Sequence, residues 1–510
     1  MSIDTCTSTS TGTEVLIVGS GPTGLVLAID LARRGIRHRV IDRAPRGFPG
    51  SRGTGLQPRT LEVFEDLGVL PAFLADGGPC PPMMNWDGPR QLGEWELVER
   101  TDPTPAAPYG EVLMLPQWRT VEILGARLAE LGGHVDFDTE LTDFSQDADG
   151  VTATLTHADG ERETVRVDYL VGADGGRSTV RKALGIDFEG DFVDPRPVLL
   201  ADFSLEGLER THWHIWPQAP GGMVMMRPLE GTESFQFLAR FEDTGHTPDA
   251  ERDATPEALQ RLLEERTGRT DLRVGEVTWS STFRARAAMA GRFRSDRVLL
   301  AGDAAHVHSP AGGQGLNTSL QDAYNLGWKL DAVLRLNAPD TLLDTYEAER
   351  MEVAAGVLGL STRVHRADQG ENPRRGTETH QLGIGYPTSP LTRELRQDIP
   401  EGALRAGDRA PDAPCKDPSG ATVRLFDAFC GPQFTLLAVG YEADLPSFEG
   451  GLARTYRVEG PTPDLRDPDG HARAAYGSGL FLIRPDGYIG LATDDPSDVS
   501  AYLREITGQG

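Results

Sequence analysis

Residues 14–42 constrain the fold of this chain more than any other segment. The apolar run Glu14-Val15-Leu16-Ile17-Val18 leads straight into Gly19-Ser20-Gly21-Pro22-Thr23-Gly24. Apolar residues then recur at helical spacing (Leu25, Leu27, Ala28, Leu31) until Gly35, and a second apolar run over 37–41 ends at Asp42. A short continuous apolar run reads as a buried parallel strand, and a glycine after the last periodic residue ends a helix. The segment is therefore a βαβ unit of roughly 30 residues with a GxGxxG turn inside it. In such a turn Gly19 permits the tight bend, Gly21 lets a pyrophosphate approach the backbone, and Gly24 allows the helix to close on the strand. The helix N-terminus offers free N–H groups to the phosphates. An acid about 20 residues on, here Asp42, can bind a ribose. The motif does not distinguish FAD from NAD.

Two further segments repeat the strand–glycine–helix grammar. In 169–181, Tyr169-Leu170-Val171-Gly172 runs into Ala173-Asp174-Gly175-Gly176-Arg177-Ser178, followed by helical residues carrying Arg181. Ser178 as a helix N-cap and a second ligand-facing turn are both open readings. In 297–317, the buried-strand run 297–301 ends at Gly302-Asp303, and the loop Pro310-Ala311-Gly312-Gly313-Gln314-Gly315-Leu316-Asn317 opens a helix. Asp303 can bind sugar hydroxyls. His306 and His308 have only Asp303 close by as a third ligand, so they read as turn histidines with local hydrogen bonds, not as a metal site.

The rest of the chain places these motifs. Helices are expected over 60–68, 120–132, 256–266, 317–336 and 342–360, and a hairpin over 151–156 and 164–171. Alternating segments at 198–203, 213–216 and 234–241 indicate a sheet. Its Trp213, Trp216 and Met223–226, together with Trp86, read either as sheet core or as a hydrophobic wall over a substrate. Residues 366–408 are polar and Pro/Gly-rich, as a linker is, and the last hundred residues form a separate unit closed by a helix over 499–506. The expected division is a lead-in (1–12), a first part of a dinucleotide domain (13–187), a substrate sheet (188–284), a second dinucleotide part (285–365), a linker (366–404) and a C-terminal domain (405–510). A length of 510 fits about three domains.

Composition excludes several partner classes. Asp+Glu 77 against Lys+Arg 50 gives a net charge of -27, which repels phosphate backbones and anionic membrane surfaces. No window reaches the apolar length of a membrane span, and residues 1–13 lack the apolar stretch of a secretory signal. The four cysteines, Cys6, Cys80, Cys415 and Cys430, are far apart and form no CxxC. That pattern is expected of a cytoplasmic protein without disulfide chemistry. The absence of a second GxGxxG argues against two-dinucleotide reductases. Trp213-His214-Ile215-Trp216-Pro217 does not fit the WxWxIP spacing of FAD halogenases.

With these three motifs in this order, residues 12–370 resemble the class A flavoprotein monooxygenases, the family of para-hydroxybenzoate hydroxylase, and most of all its aromatic polyketide hydroxylases. Asp174, Gly175, Arg177, Ser178 and Arg181 match the family's second motif, and Gly302, Asp303, Pro310, Gly312, Gly313 and Gly315 match its third. The resemblance implies an α/β fold: a Rossmann-like FAD-binding domain of GR2 type, a mixed-sheet substrate domain, and a thioredoxin-like C-terminal domain that cannot act as a thioredoxin without CxxC. It implies FAD on Gly19, Gly21 and Gly24, the adenosine ribose on Asp42 beside Arg43, the ribityl chain near Gln117, the ribityl or pyrophosphate side on Asp303 after Gly302, and both FAD and NAD(P)H near Asp174. It further implies that Arg52, in Ser51-Arg52-Gly53, positions the cofactor, and that Pro310, Gly313, Gly315, Leu316 and Asn317 lie against the flavin ring. Arg52 and Pro310 are thus the residues expected at the reacting centre. The implied reaction takes NADPH or NADH and O2, and hydroxylates an aromatic, polyketide-like small molecule through a C4a-hydroperoxyflavin, in a monomer or homodimer. Baeyer–Villiger oxygenation and antibiotic-inactivating hydroxylation share the fold. A flavin dehydrogenase or a non-catalytic flavin protein is the alternative of another class.

Overall fold

The computed structural model describes residues 12–242, 247–367, 374–397 and 399–508. The lead-in up to residue 11, with Cys6, lies outside them. The opening unit folds as its pattern dictates. Val15–Val18 is a fully buried strand, Pro22–Arg33 the helix with proline in its first turn, and His38–Ile41 the second parallel strand. A six-stranded sheet grows around it in the order Arg294–Ser295, Val298–Leu300, Tyr169–Gly172, Val15–Val18, His38–Ile41, Val135–Asp136. All neighbours are parallel except the first pair. Tyr169–Gly172 sits between the strands of the first and third motifs, so the three motifs issue from adjacent strand ends. The expected hairpin is shorter than read: Gly150–His157 pairs with Arg162–Val167, and the chain then leaves for the central sheet.

An eight-stranded, mainly antiparallel sheet stands beside this domain. Its order is His306–Val307, Arg273–Ala290, Phe188–Glu206, Ser234–Arg240, Val224–Pro228, Trp213–Trp216, Met83–Asp87, Arg90–Trp95. The helix Pro256–Thr267 covers one face through Leu259 and Leu263. Residues 80–95 belong to this sheet although they precede it by a hundred residues.

The helices Gly315–Arg335 and Asp344–Ala367 connect the sheets to the C-terminal unit. That unit is a mixed five-stranded sheet ordered Arg393–Glu394, Ile489–Thr493, Gly479–Ile483, Phe434–Val439, Ala453–Val458, closed by the helix Pro496–Thr507. Residues 374–397 are no solvated tether: Gln381 and Tyr386 are buried against the helices, and Arg393–Glu394 adds a strand to the C-terminal sheet. Between the two units lies a fully buried ionic cluster. Arg484 pairs with Glu349 at 2.6 Å and with Asp486 at 2.5 Å, and Lys329 reaches Glu349 at 2.7 Å. Asn325 and the Trp328 indole N–H donate to Asp486. Burying charge is costly unless every partner is present, so this cluster fixes the C-terminal unit to the helices. Burial pushes the Cys80 and Cys415 thiols up to about 11 and about 12, which leaves them inert as nucleophiles. Among the described residues no helix is long and apolar enough to cross a membrane, and no metal-ligand cluster occurs.

Candidate active site

The three glycines of the first motif do three different jobs. A Cβ on Gly24 would stand 2.0 Å from the Gly19 carbonyl oxygen, so helix and strand close only over glycine. Gly19 has a φ of +108°, and a Cβ there would lie 2.4 Å from the Ala173 oxygen of the second motif. Gly21 faces open space, with nothing within 4 Å of a Cβ. That is the position through which a pyrophosphate can approach the helix N-terminus, whose first turn carries no acidic residue. Asp42 is built into the turn. Its Oδ2 accepts from the Ser20 N–H (2.8 Å) and Oγ–H (2.7 Å), and its Oδ1 from the Ala44 N–H. Arg43 beside it is exposed.

The second motif is both a capped helix start and part of the crevice. Asp174 Oδ2 accepts from the N–H groups of Thr179 (2.6 Å) and Val180 (3.2 Å), and Ser178 Oγ caps through Arg181 N–H. Asp174 Oδ1 is buried with no protein partner. A carboxylate oxygen left this way has capacity for a ligand donor. Arg181 donates to the carbonyls of Gly176 and Ala304 and lies 3.8 Å over the Phe188 ring, which ties the second motif to the third. Gly302 (φ +63°) packs so closely on the first helix that a Cβ would meet Thr23 Oγ1 at 2.6 Å. Asp303 opens into the crevice. The protein crowded around it pushes its carboxyl up, while His306 and Arg52 pull it down.

The glycine loop is braced from behind. Asn317 is fully buried. Its Oδ1 accepts from the Gln57 N–H (2.8 Å) and Thr60 Oγ–H (2.7 Å), and its Nδ2 donates to the carbonyls of Gly55 and Gly313. The side chain expected to face a flavin is a clamp instead, because four backbone and hydroxyl groups compete for it. Gln314 donates to the Gly312 and Thr379 carbonyls, and Gln381 donates to Gln314 and Thr318. In front, Gln117 Oε1 accepts from the Gly53 N–H at 2.8 Å, and Leu316 packs on Gly53. Gln117, Gly53, Leu316 and Gly315 therefore meet at the start of the long helix, whose first N–H groups have no intrahelical partner. Pro310 is exposed at the loop's entry.

Opposite this loop stands one face of the eight-stranded sheet. Ser51 donates its N–H (2.9 Å) and Oγ–H (2.5 Å) to the carboxylate of buried Asp202, and Gln236 donates to Ser51 Oγ at 2.9 Å. Arg52 next to it donates to Ser281 Oγ at 2.9 Å and lies beside the Phe48 and Trp279 rings. The protein groups packed around its guanidinium, including the Phe48 and Trp279 rings, displace water and lower the pKa of Arg52, and Asp303 opposes that shift. Asp202 pairs with Gln236 and Gln236 with Arg227 across neighbouring strands, and the Arg227 guanidinium lies 4.5 Å from the Trp213 ring. This row ends at a cleft lined by Thr54, Met114, Pro116, Trp213, Arg227 and Glu230. Trp213 and Met225 belong to this face. Trp86 and Trp216 do not: they stack at 5.2 Å on the other face, under Leu259 and Leu263. Successive strand residues alternate faces, so Trp213 and Trp216, three apart, had to separate.

The histidines make the expected local bond to each other and also reach beyond the turn. His306 is fully buried and its Nε2 lies 2.6 Å from Asp322 Oδ2 on the following helix, with Nδ1 2.9 Å from His308 Nε2. Asp202, Gln236, Arg227 and Asp322 carry no motif signal, since each partner is remote in sequence. The period-2 pattern of their strands and the helical register of 315–335 are the only traces.

The crevice thus offers an open phosphate approach at Gly21, acids at its edges, an unpartnered Asp174 oxygen and a helix start at a glycine loop. This donor set fits a flavin dinucleotide. The family described as "FAD binding domain" matches residues 12–361, and that described as "Aromatic-ring hydroxylase, C-terminal" matches residues 404–510. The chain is 45% identical over 500 residues to a flavin-dependent monooxygenase of Mycobacteroides abscessus, covering 96% of this chain and 99% of that protein. It is 36% identical over 520 residues to 6-methylpretetramide 4-monooxygenase of Streptomyces rimosus, covering 94% and 90%. The structure of aklavinone-11 hydroxylase in a ternary complex with FAD and aklavinone matches with a TM-score of 0.83 and 28% identity, over 98% of this chain and 99% of that one. The chain belongs to the family of FAD-binding aromatic-ring hydroxylases, the class A flavin-dependent monooxygenases.

Proposed function

We propose that this chain uses FAD, NAD(P)H and O2 to hydroxylate a polycyclic phenolic small molecule of polyketide type. The observation that carries the reading is the segment Ser51–Thr54, which joins the cofactor loop to the sheet: Ser51 bonds Asp202, Gly53 meets Gln117 and Leu316, and Thr54 lines a cleft with Trp213 and Arg227. The flavin supplies hydride acceptance and oxygen activation; the chain's residues hold and shelter it. Gly21 and the helix behind it take the pyrophosphate, Asp42 the ribose, and Asp303 and Gln117 the ribityl side. The helix start at Gly315–Leu316 would supply a partial positive charge that favours an anionic ring edge. Arg52 and Pro310 would flank the ring, Arg43 would stand beside the ribose on Asp42, and the segment around Asp174 would serve both FAD and the nicotinamide cofactor. Trp213 and Met225 give an apolar wall for a flat ring system, while Arg227 favours an ionised phenol at its edge. The tetracyclic substrates named for the Streptomyces relatives support the size class. The free, buried thiols of Cys80 and Cys415 support work in a reducing cytoplasm.

The test is the absorption spectrum of the purified protein, followed by NAD(P)H oxidation and O2 uptake with a panel of polyphenolic polycycles. Accelerated turnover with one compound, and a gain of one oxygen by mass, is the expected result. A protein that stays colourless with added FAD, or that oxidises NAD(P)H without inserting oxygen into any compound, overturns the reading.

A further inference from the structure

Between the strands Arg90–Trp95 and Leu113–Met114 the chain runs through a loop, 96–112. Its two stems pack inward. Leu97 and Val112 are buried in one apolar cluster with Cys80, Met83, Met114 and Trp213, and Met114 and Trp213 also line the cleft. Arg100 staples the stems, pairing with Glu96 and Glu111 at 3.3 Å each and donating to the Cys80 carbonyl at 3.2 Å. The tip has a different chemistry. Pro103, Pro105 and Pro108 have no N–H to offer, and the N–H groups of Thr104 and Ala107 bond each other's carbonyls at 2.9 and 3.1 Å. What the tip presents to a neighbour is the Ala106 carbonyl.

Two donors of the C-terminal unit meet that carbonyl. Arg409 Nη2 lies 3.1 Å from it and the Asp412 N–H 3.2 Å. The guanidinium bond is charge-assisted and is the stronger of the two. The other arm of Arg409 pairs with Glu62 at 2.9 Å, so one side chain bridges the tip and the helix Pro58–Asp66. Close by, Tyr109 donates to Glu65 at 2.8 Å. Arg424, itself paired with Asp412 at 2.6 Å, holds both oxygens of Glu65 at 2.9 and 3.0 Å. On the first stem, Arg375 exchanges backbone hydrogen bonds with Leu97 and Glu99, both at 2.9 Å. The loop is thus tied down at three places by residues some three hundred positions later in the chain.

We propose that Arg409 is a positioning residue for substrate: from the C-terminal unit it clasps loop 96–112 shut, which keeps Leu97 and Val112 packed in the cluster behind Trp213. The clasp acts on the wall of the cleft and touches no reacting atom. Without it the tip is held only by the Asp412 N–H and by Tyr109, the stems loosen, and Cys80 beneath them becomes reachable from solvent. That the wall confines an aromatic substrate rests on the proposed function; the clasp itself does not.

The test reads the loop through the chain's own cysteines. Cys80 lies beneath the stems beside Glu96, Val98 and Val112, Cys415 is buried within the C-terminal unit, and Cys430 is exposed. Iodoacetamide labelling of the full chain, followed by peptide mass spectrometry, gives a separate rate for each. In Arg409→Ala, Cys80 is expected to label about tenfold faster, the gain in open population when a charge-assisted bond is lost, while Cys415 keeps its rate. Glu62 retains Arg59 at 2.8 Å, so this variant strands no buried charge. Tyr109→Phe removes only the bond to Glu65, which keeps Arg424; it is expected to speed Cys80 by a smaller factor and decides the matter even where Arg409→Ala is too unstable to purify. With a compound that the enzyme oxygenates, Arg409→Ala should raise KM about fivefold and leave kcat within about twofold, the split expected when binding alone is weakened. An unchanged Cys80 rate in the variants, or Cys415 accelerating in step with Cys80, overturns the clasp. Faster Cys80 labelling with an unchanged KM overturns the positioning role. Absence of oxygenation with every compound counts against the proposed function, and the labelling rates still decide the clasp.

Discussion

Asp202 and Ser51, 151 residues apart, join the substrate sheet to the cofactor loop: both carboxylate oxygens of Asp202 are taken by the N–H and hydroxyl of Ser51, one residue before Arg52. Burial pushes the Asp202 carboxyl up to about 6, against the two Ser51 bonds that lower it. An unfolded Asp titrates near ~3.9. Between those values the folded chain holds a proton that the unfolded chain releases, so this group costs stability increasingly as pH rises from about 4 through about 6. A shift of roughly two units corresponds to about 3 kcal/mol. The unfolding free energy of Asp202→Asn relative to wild type is expected to improve by about that amount between pH 4 and pH 7, measured by urea denaturation. A flat difference would show that the carboxyl is not held in this environment.

Gly21 and Gly24 should separate binding from folding. A methyl at Gly24 collides with the Gly19 carbonyl, whereas one at Gly21 meets no protein atom. Gly24→Ala is expected to lower the melting temperature of the FAD-free protein. Gly21→Ala is expected to leave that temperature unchanged and to weaken FAD at least tenfold, about 1.4 kcal/mol. Fluorescence titration with FAD and calorimetry on both variants decide the matter.

Removing the Asn317 side chain strands buried groups on both sides of the glycine loop, since Gln57, Thr60, Gly55 and Gly313 all lose a partner. Asn317→Ala should cost about 3 kcal/mol of stability and should raise the FAD dissociation rate. A variant with wild-type stability would rule out the clamp.

The two tryptophans of one strand should differ in their effect on KM. Trp216→Ala empties core space against Trp86 and is expected to cost about 4 kcal/mol, with little change in substrate affinity. Trp213→Ala removes a ring buried on the opposite face under Arg227; it should also cost stability but should in addition raise KM for the aromatic substrate. Equal effects on KM would remove Trp213 from the substrate wall.

Arg52 is exposed and makes a single side-chain hydrogen bond, to Ser281. Arg52→Ala should shift stability by less than about 0.5 kcal/mol while lowering the yield of oxygenated product per NAD(P)H consumed. Unchanged coupling would mean that Arg52 does not position the ring.

The parts of this fold that were legible are those whose physics is local. A glycine that must meet a carbonyl, a helix opening after a buried strand and an acid at a strand end all leave marks within a few residues. For that reason the three motifs and the helices around residues 22–33 and 315–335 could be read from the chain. The long-range pairings left no such marks. Nothing near Ser51 announces Asp202, and nothing near Gln57 announces Asn317, because a serine or an asparagine looks the same with or without a distant partner. Trp216 lay between these cases: strand alternation already sets it opposite Trp213, but only the covering helix decides which face is core. Residues 374–397, within the expected linker 366–404, misled for a different reason. Polar, proline-rich sequence is usual for a tether, yet here Gln381 and Tyr386 satisfy buried groups of the two long helices.

The ionic cluster of Lys329, Glu349, Arg484 and Asp486 also bears on how such a chain can change over time. Neither half of it is viable alone: a truncated chain would expose Glu349 and Lys329 without Arg484, and an isolated tail would carry Arg484 and Asp486 with no counterpart. The last hundred residues, which supply Arg484 and Asp486 to this cluster, are therefore a keystone of the oxygenase and not a passenger. Grafting the tail of a relative onto this chain would succeed only if both sides of that junction were exchanged together, so recombination between family members is expected to swap the two long helices along with the tail.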